Sequence, residues 1–238
     1  MEFRDFLLEA GEKAGLSFSE KQLNQLVRYY ELLVEWNQKM NLTAITEPQE
    51  VAVKHMIDSL SCYDETLFPQ GASVIDVGTG AGFPGMVLKI YRPDLQLTLL
   101  DSLNKRLTFL KTLQTELDLG PIEFIHGRAE DAGRDKKLRD RFAVVVSRAV
   151  ARLNVLTEYC LPFAAPGGFF LALKGRDAKA EAKEASRALT LLGGKIETVK
   201  QVFLPELTDE RFVVIVKKTA KTPQAYPRRP VSIEKKPL

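Results

Sequence analysis

The sequence has little of the chemistry that disulfide scaffolds and metal centres require. Its 238 residues include two cysteines, Cys62 and Cys160, and two histidines, His55 and His126. Two distant cysteines exclude a disulfide framework and a four-cysteine zinc site, and two histidines are too few for a histidine-based metal cluster. No run of about 18 apolar residues occurs, and the N-terminus lacks the apolar core of a secretory signal. We therefore expect a cytoplasmic, metal-free protein with no membrane partner.

The net charge is small but unevenly distributed. Hydrophobic residues make up 45% of the chain and charged residues 27%, and the net charge is +3. This composition is typical of a globular protein with one large domain. Residues 217–238 carry seven bases and one acid, so the rest of the chain is slightly acidic. A basic, proline-punctuated tail favours a polyanionic partner, and a solubilising tail without a partner is the alternative.

Three parts of the chain differ in their residue pattern. Residues 1–66 show helical periodicity, with a possible capping box at Ser19 and Gln22, and predict a helical N-terminal cap. Residues 67–217 alternate short β-rich runs with helical stretches and predict an α/β domain, whose parallel sheet is covered on both faces. Residues 218–238 form the basic tail.

Seven strands are predicted, and no helical stretch separates the last two. A mostly parallel sheet that ends in an antiparallel hairpin is therefore expected. The predicted strands span residues 73–77, 96–101, 122–125, 142–147, 168–173, 195–203 and 211–216, and the clearest helices between them span 103–117 and 178–192.

A glycine-rich turn follows the first of these strands. Gly78, Gly80 and Gly82 occupy every other position, and an apolar helix start follows them. Because glycine has no Cβ atom, such a turn lets a ligand approach the backbone closely. In open α/β sheets the ligand crevice lies outside the carboxyl ends of the strands, where this turn is placed. The spacing from Gly80 to Gly85 also matches the dinucleotide fingerprint, so a nicotinamide cofactor is an alternative.

Acidic residues at strand ends indicate which ligand the turn binds. Asp76 precedes Gly78 by two residues, where a carboxylate repels a pyrophosphate and attracts the cationic amino-acid end of S-adenosylmethionine. A structural cap of the turn is the alternative role for Asp76. Asp101 ends the second strand, where an acid can accept hydrogen bonds from both ribose hydroxyls of an adenosine ligand. Glu130 follows the third strand and can accept the adenine amino group, or can act only as a helix N-terminal acid.

These motifs together resemble class I methyltransferases, and more closely the RsmG (GidB) family of bacterial 16S rRNA guanine-N7 methyltransferases. The resemblance covers nearly the whole chain. Phe-Pro directly after Gly82 and Ser-Arg-Ala from Ser147 are specific in combination. The matching segments are residues 35–37, 41–43, 55–59, 76–85, 101–106, 128–130, 147–152 and 226–230.

The resemblance implies a Rossmann-like class I fold and methylation of N7 of a guanine in the decoding region of 16S rRNA. The partner is then 16S rRNA or a small-subunit precursor, and we expect a monomer. Residues implied to contact the cofactor are Gly78, Phe83, Ala129, Glu130 and Arg148, to which the turn pattern adds Gly80 and Asp101.

The chemistry implied by this resemblance needs no general base. Guanine N7 carries a lone pair and no proton, so positioning and desolvation supply the catalysis, and no catalytic residue is assigned. Arg148 is expected to contact the cofactor carboxylate or an RNA phosphate, with a structural salt bridge as the alternative. Further candidates for phosphate contacts are Arg106, Arg128, Arg152, Lys174 and Arg176.

Three other functions fit parts of the sequence. A small-molecule methyltransferase would use the same fold, but the basic tail argues against it. A nicotinamide-dependent oxidoreductase is disfavoured by Asp76. A non-catalytic RNA-binding ribosome assembly factor would not need the glycine turn with Asp101.

Overall fold

The computed structural model describes residues 1–238. The helices are α1 (Phe3–Lys13), α2 (Glu20–Asn37), α3 (Pro48–Val51), α4 (Asp58–Leu60), α5 (Gly85–Tyr91), α6 (Asn104–Glu116), α7 (Ala129–Ala132), α8 (Leu153–Cys160), α9 (Ala178–Glu184), α10 (Ser186–Leu192) and α11 (Pro230–Lys235). A π-helix, Ala52–Ile57, joins α3 to α4. The strands are β1 (Ser73–Val77), β2 (Gln96–Asp101), β3 (Ile122–His126), β4 (Phe142–Arg148), β5 (Ala164–Lys174), β6 (Gly194–Val202) and β7 (Arg211–Lys218).

All seven strands form one sheet in the order β3-β2-β1-β4-β5-β7-β6. The first five strands are parallel, and β7 pairs antiparallel with both β5 and β6. The predicted mostly parallel α/β sheet with an antiparallel terminal hairpin is therefore confirmed. The helix predicted over residues 178–192 is wrong in one respect, since Ala185 separates α9 from α10 without any glycine or proline at the break.

Both faces of the sheet are covered because consecutive apolar side chains of a strand point to opposite faces. Val144 and Val146 of β4 face one hydrophobic core, which includes side chains from α1, α2, α5 and α6. Val145 faces a second core, to which α8, α9 and α10 contribute. The sheet is thus a buried layer between two groups of helices, as expected for parallel strands joined by helices.

The N-terminal helices pack on the same face of the sheet as α5 and α6. The Ser19 hydroxyl accepts the Gln22 N–H at 3.3 Å and the Gln22 side chain accepts the Ser19 N–H at 2.8 Å, so the capping box at the start of α2 is formed. The Gln22 side chain also donates to the Tyr91 carbonyl at 2.9 Å, at the end of α5. Helix α2 is therefore fixed against the helix that follows the glycine turn.

The basic C-terminal segment packs against the body of the protein. Arg228 forms a 2.7 Å ion pair with the buried carboxylate of Glu158 on α8, and Arg139 donates to the Thr222 carbonyl at 2.6 Å. The Lys218 ammonium donates to the Leu161 carbonyl at 2.6 Å, and burial lowers the pKa of Lys218 to about 8. Two of the bases counted in the tail are therefore used in contacts within the protein. The division into parts at residues 66 and 217 stays a prediction.

None of the helices combines the length and the hydropathy needed to cross a membrane.

Candidate functional site

The glycine turn and the acidic strand ends meet at the carboxyl edge of the sheet. Val77 of β1 pairs with Leu100 of β2, and Asp101 of β2 pairs with His126 of β3. The Gly78 N–H donates to the Leu100 carbonyl at 2.9 Å, which holds the first residue of the turn against β2. The sheet register therefore brings together residues that lie about 50 positions apart in the sequence.

The three glycines of the turn have different surroundings. All three have positive φ angles, +74° at Gly78, +61° at Gly80 and +102° at Gly82. A Cβ atom at Gly80 would have no heavy atom within 4 Å, so its backbone is open to a ligand. A Cβ at Gly82 would lie 2.7 Å from Met86 Cγ and 2.9 Å from Leu110 Cδ2. Gly82 is therefore required by packing, and Gly80 leaves space for a ligand.

The Asp76 carboxylate stabilises the glycine turn through hydrogen bonds. Its side chain is fully buried, and Oδ2 accepts hydrogen bonds from the Thr79 hydroxyl at 2.8 Å and the Gly85 N–H at 2.9 Å. Burial raises the pKa of Asp76 to about 6, against the opposing effect of these hydrogen bonds. The structural cap, which the sequence left open as an alternative, is thus formed. Its Oδ1 is buried without a partner, and attraction of the cationic end of a cofactor stays a prediction.

Asp101 links the second strand to the glycine turn. Its Oδ2 accepts the Gly80 N–H at 2.9 Å and its Oδ1 accepts the Leu103 N–H at 2.8 Å. Arg106 approaches Oδ2 at 3.4 Å. Each carboxylate oxygen can accept about two hydrogen bonds, so Oδ1 retains capacity for a hydroxyl donor. The carboxylate is therefore placed beside the open backbone of Gly80.

Ala129 and Glu130 begin α7 directly after β3. Glu130 is buried, and its Oε1 has no hydrogen-bond partner, since the nearest cation, Arg128, lies 3.8 Å away. A buried carboxylate oxygen without a donor is costly, so such an atom needs an explanation. A ligand with N–H groups at this edge would satisfy it. Together with the open turn at Gly80 and the carboxylate of Asp101, this oxygen fits an adenosine-containing ligand.

Phe83 lies in an aromatic stack between the N-terminal helices and the turn. Its ring stacks on Tyr29 of α2, with the centroids 5.3 Å apart, and on His55 of the π-helix, with the centroids 4.5 Å apart. The Tyr29 hydroxyl donates to the Ala81 carbonyl at 2.5 Å. Phe83 thus connects α2 to the glycine turn, and its contact with a cofactor stays a prediction.

Arg148 forms an ion pair that crosses from β4 to the helices of the N-terminal region. Its Nη1 donates to Asp58 Oδ2 at 2.7 Å and to the Lys54 carbonyl at 2.8 Å, and Nη2 lies 3.3 Å from His55 Nδ1. Burial, followed by the charge of Arg148, lowers the pKa of His55 to about 4. The salt bridge considered as the alternative role of Arg148 is therefore present. Its contact with a cofactor carboxylate or RNA phosphate stays a prediction.

A cavity of about 560 Å³ lies beside this ion pair and was missed by the sequence analysis. It is bounded by the π-helix, the ends of β4 and β5, and the start of β7. Five basic and five acidic side chains line it, and Asp58, Arg148 and Arg211 are among them. Arg148, Lys174 and Arg176, named from the sequence as candidates for phosphate contacts, line it, but its walls come from distant segments, so the cavity itself was not predicted.

The five further candidates for phosphate contacts differ in what surrounds them. Lys174 and Arg152 form 2.7 Å ion pairs with Glu181 and Glu184. Arg106 lies beside Asp101, and Arg128 lies beside Glu130. Arg176 has no acidic partner within 4 Å and lies exposed on the rim of the cavity. Among the five, Arg176 is therefore the one whose charge is not already balanced.

Comparisons with known proteins agree on one family. The family model described as GidB, rRNA small subunit methyltransferase G, matches residues 22–209. The chain is 47% identical over 238 residues to the Ribosomal RNA small subunit methyltransferase G of Alkaliphilus metalliredigens, with 100% of both chains covered. It is 51% identical over 231 residues to the protein of the same name from Exiguobacterium sp., with 97% of each chain covered.

Solved structures are similar in fold at low sequence identity. An rRNA methylase from Streptococcus thermophilus superposes with a TM-score of 0.50 and 16% identity, over 71% of this chain and 97% of that one. A putative methyltransferase from Thermoplasma acidophilum gives a TM-score of 0.51 and 13% identity, over 65% and 71% of the two chains. At these identities the likeness concerns the fold alone.

Proposed function

Because the chain belongs to the GidB family of small-subunit rRNA methyltransferases, we propose that it transfers a methyl group from S-adenosylmethionine to N7 of a guanine in 16S rRNA. The observation that carries this proposal is the similarity to rRNA methyltransferase G over the full length of both chains. The position N7 comes from the family resemblance of the sequence motifs.

Family membership confirms the predicted resemblance, the class I fold, the methyltransferase activity and the methyl donor. It removes the nicotinamide-dependent oxidoreductase from consideration. It also disfavours a small-molecule methyltransferase and a non-catalytic assembly factor, because the relatives that match over the whole chain are named as rRNA methyltransferases.

We assign the cofactor to the glycine turn and the adjoining strand ends. When bound, S-adenosylmethionine supplies an electrophilic methyl group on a sulfonium. The open backbone of Gly80 would lie against it, Asp101 would accept from the ribose hydroxyls, and Glu130 Oε1 would accept from the adenine amino group. Gly78 and Ala129, at the starts of the turn and of α7, would border the same crevice.

Arg148 and Phe83 are proposed to contact the cofactor from the opposite side. Arg148 donates to Asp58 Oδ2 and to the Lys54 carbonyl, and its Nη2 lies 3.3 Å from His55 Nδ1, so at least two of its five N–H donors remain for a carboxylate. The Phe83 ring lies 5.1 Å from the Arg148 guanidinium, and this contact between the two side chains supports a shared role for them.

The transfer itself needs alignment more than proton chemistry. As the new bond to N7 forms, the bond from the methyl carbon to sulfur breaks, sulfur keeps the electron pair, and the positive charge moves to the purine. Since N7 has a lone pair and no proton, no general base is required. The protein's contribution is to hold the guanine in line with the methyl group and to exclude water.

The RNA partner is proposed to be 16S rRNA or a precursor of the small subunit. The exposed Arg176 at the cavity rim and the unpaired bases of the C-terminal segment, such as Arg229 and Lys235, support a phosphate-binding surface. An enzyme acting on bacterial rRNA meets its substrate in the cytoplasm, and we propose that it works there as a monomer.

Methyl transfer to isolated rRNA tests this function. Purified protein is incubated with tritiated S-adenosylmethionine and total RNA from a strain that lacks the enzyme. We expect label in 16S rRNA, and strand cleavage by borohydride and aniline at the labelled guanine, which is specific for N7-methylguanine. RNA from a strain that contains the enzyme is the control and should accept much less label. Absence of label from 16S rRNA would overturn the proposal.

A further inference from the structure

One carboxylate beside the proposed cofactor site has an oxygen that accepts no hydrogen bond from the protein. Asp58 is 6% exposed, and Arg148 Nη1 donates to its Oδ2. Its Oδ1 accepts no hydrogen bond, and the nearest cation, Arg211 Nε, lies 3.9 Å away. Oδ1 has no hydrogen-bond partner but is not fully buried. It therefore reaches the surface of the cavity that Asp58 lines. A nearly buried carboxylate therefore points a free acceptor into the cavity.

The charges around the cavity suit a base better than a phosphate backbone. Its five basic side chains are balanced by five acidic ones, so the cavity as a whole does not attract a polyanion. Carboxylates facing a phosphate would repel it, whereas carboxylates facing a nucleobase can accept from its N–H groups. The volume of about 560 Å³ is within the range of pockets for small ligands and leaves room for a single extruded nucleotide.

Among the RNA bases, guanine has the donors that such an acceptor requires. Its Watson–Crick edge presents N1–H and the 2-amino group side by side, and a carboxylate can accept from both. Adenine presents an unprotonated N1 at this edge and has no 2-amino group, so it would leave the buried carboxylate unpaired. N7 lies on the other edge of the purine, so a guanine held by its Watson–Crick edge keeps N7 free for methylation.

We propose that Asp58 selects the target guanine by accepting hydrogen bonds from its N1–H and 2-amino groups in this cavity. The inference rests on the proposed function and names the residue that determines base specificity. Arg148, which is bound to Oδ2, and Arg211, which lies near Oδ1, position the carboxylate. Methylation makes the purine cationic and its N–H groups stronger donors, so this contact strengthens as the reaction proceeds and favours the transition state.

Replacing the target guanine by inosine tests the contact directly. Inosine keeps N7, N1–H and O6 and lacks only the 2-amino group. Once the methylated position has been mapped, 16S rRNA is assembled by ligation with guanosine or inosine at that position. The kcat/KM of methyl transfer is measured for wild-type protein, Asp58→Asn and Asp177→Asn. Asp177 is the matched control, because it is an exposed carboxylate on the rim of the same cavity.

For the wild type we expect inosine to lower kcat/KM about 10- to 100-fold, the usual effect of losing a hydrogen bond to a charged group. The kcat/KM of Asp58→Asn on guanosine RNA should be lower than that of the wild type by a similar factor. Replacing guanosine by inosine should lower the kcat/KM of this variant by less than about a further threefold, because the contact is already absent. Its affinity for S-adenosylmethionine, measured by calorimetry, should stay within about threefold of the wild type and also shows that the variant is folded. Asp177→Asn should keep the wild-type preference for guanosine.

Two results would overturn the inference while leaving the proposed function intact. One is equal methylation of guanosine and inosine RNA by the wild-type protein, a comparison that needs no variant. The other is an Asp58→Asn protein that keeps the full preference for guanosine. Absence of methylation of natural 16S rRNA in the mapping step would instead overturn the proposed function, and this inference with it.

Discussion

The glycine turn and the cavity lie on either side of Arg148 and are built in different ways. In the turn, carboxylates at strand ends accept backbone N–H groups, as Asp76 does from Gly85 and Asp101 does from Gly80. In the cavity, side chains pair with side chains, as Arg148 does with Asp58 across 90 residues of sequence. The turn is thus fixed by local chain geometry and the sheet register, whereas the cavity depends on how the N-terminal helices pack.

Each region also contains a buried group with a shifted pKa, and the two shifts have opposite directions. Burial raises the pKa of Asp76 to about 6 and lowers the pKa of His55 to about 4, because in each case the charged form loses its solvation. Asp76 therefore favours the folded state at low pH, and His55 favours it at neutral pH. Between pH 4 and 7 the contributions of Asp76 and His55 to the free energy of unfolding change in opposite directions with pH and partly cancel. Substituting one of the two residues therefore reveals the contribution of the other.

The largest effect is expected for Gly82→Ala in the turn. A Cβ there meets Met86 and Leu110 in the core, and alanine is strained at φ +102°, so we expect a loss of about 3 kcal/mol in the free energy of unfolding. Gly80→Ala is the matched control, since it has positive φ but free space, and should cost about 1 kcal/mol. Urea denaturation measures both. Equal costs would show that packing does not distinguish the two glycines.

On the cavity side, His55→Gln should remove a loss of stability at low pH. The folded protein keeps His55 neutral down to pH about 4, while the unfolded chain takes up a proton below its ordinary pKa of 6.5. This group should therefore lower the free energy of unfolding by about 2.5 kcal/mol as the pH falls from 7.5 to 4.5. Urea denaturation at these two pH values should show a decrease in the free energy of unfolding that is smaller in the variant than in the wild type by this amount. An unchanged pH dependence would contradict the burial of a neutral imidazole.

Asp76→Asn should have the opposite effect on the pH dependence. The pKa of Asp76 is raised from 3.8 to about 6, so its contribution to stability is present at low pH and is lost as the pH rises through 6. The loss between pH 4.5 and 7.5 should be about 2 kcal/mol. The stability of the variant relative to the wild type should therefore increase with pH by this amount in urea denaturation. A relative stability that falls with pH would mean that Asp76 is stabilised as a carboxylate.

The smallest effect is expected for the contact between α2 and the turn. Tyr29→Phe removes the donor to the Ala81 carbonyl and should cost about 1 kcal/mol in urea denaturation. Tyr30→Phe is the control, because the Tyr30 hydroxyl donates to Thr46 at 3.2 Å in a partly exposed position and should cost clearly less. An equal or larger cost for Tyr30→Phe would show that the turn does not depend on this contact.

The difference between the two regions also explains what the sequence could predict. All seven strands were found, because each is a short β-rich apolar run separated from the next element by a break in the pattern. The start of β5 at Ala164 was missed, since Pro166 and Gly167 looked like a turn. The open position at Gly80 and its neighbour Asp101 were identified because the glycine turn follows one predicted strand and Asp101 ends the next.

Contacts between distant segments could not be predicted in the same way. The cavity was missed because Asp58, Arg148 and Arg211 come together only when the N-terminal helices pack on the sheet. The docking of the basic tail was missed for a similar reason. Counting charges shows Arg228 but does not show that the buried Glu158 on α8 is its partner.

The placement of the cofactor in the glycine turn is the central claim, and calorimetric titration of Gly80→Asp with S-adenosylmethionine tests it most directly, because a Cβ at Gly80 meets no protein atom within 4 Å. The structure predicts a folded protein whose affinity falls by about 100-fold or more, because a carboxylate would occupy the ligand's space. Gly120→Asp is the matched control, since Gly120 has a similar φ of +68° and free space, in the turn that precedes β3, and it should bind normally. Full affinity in Gly80→Asp would contradict the account, because the cofactor would then bind elsewhere.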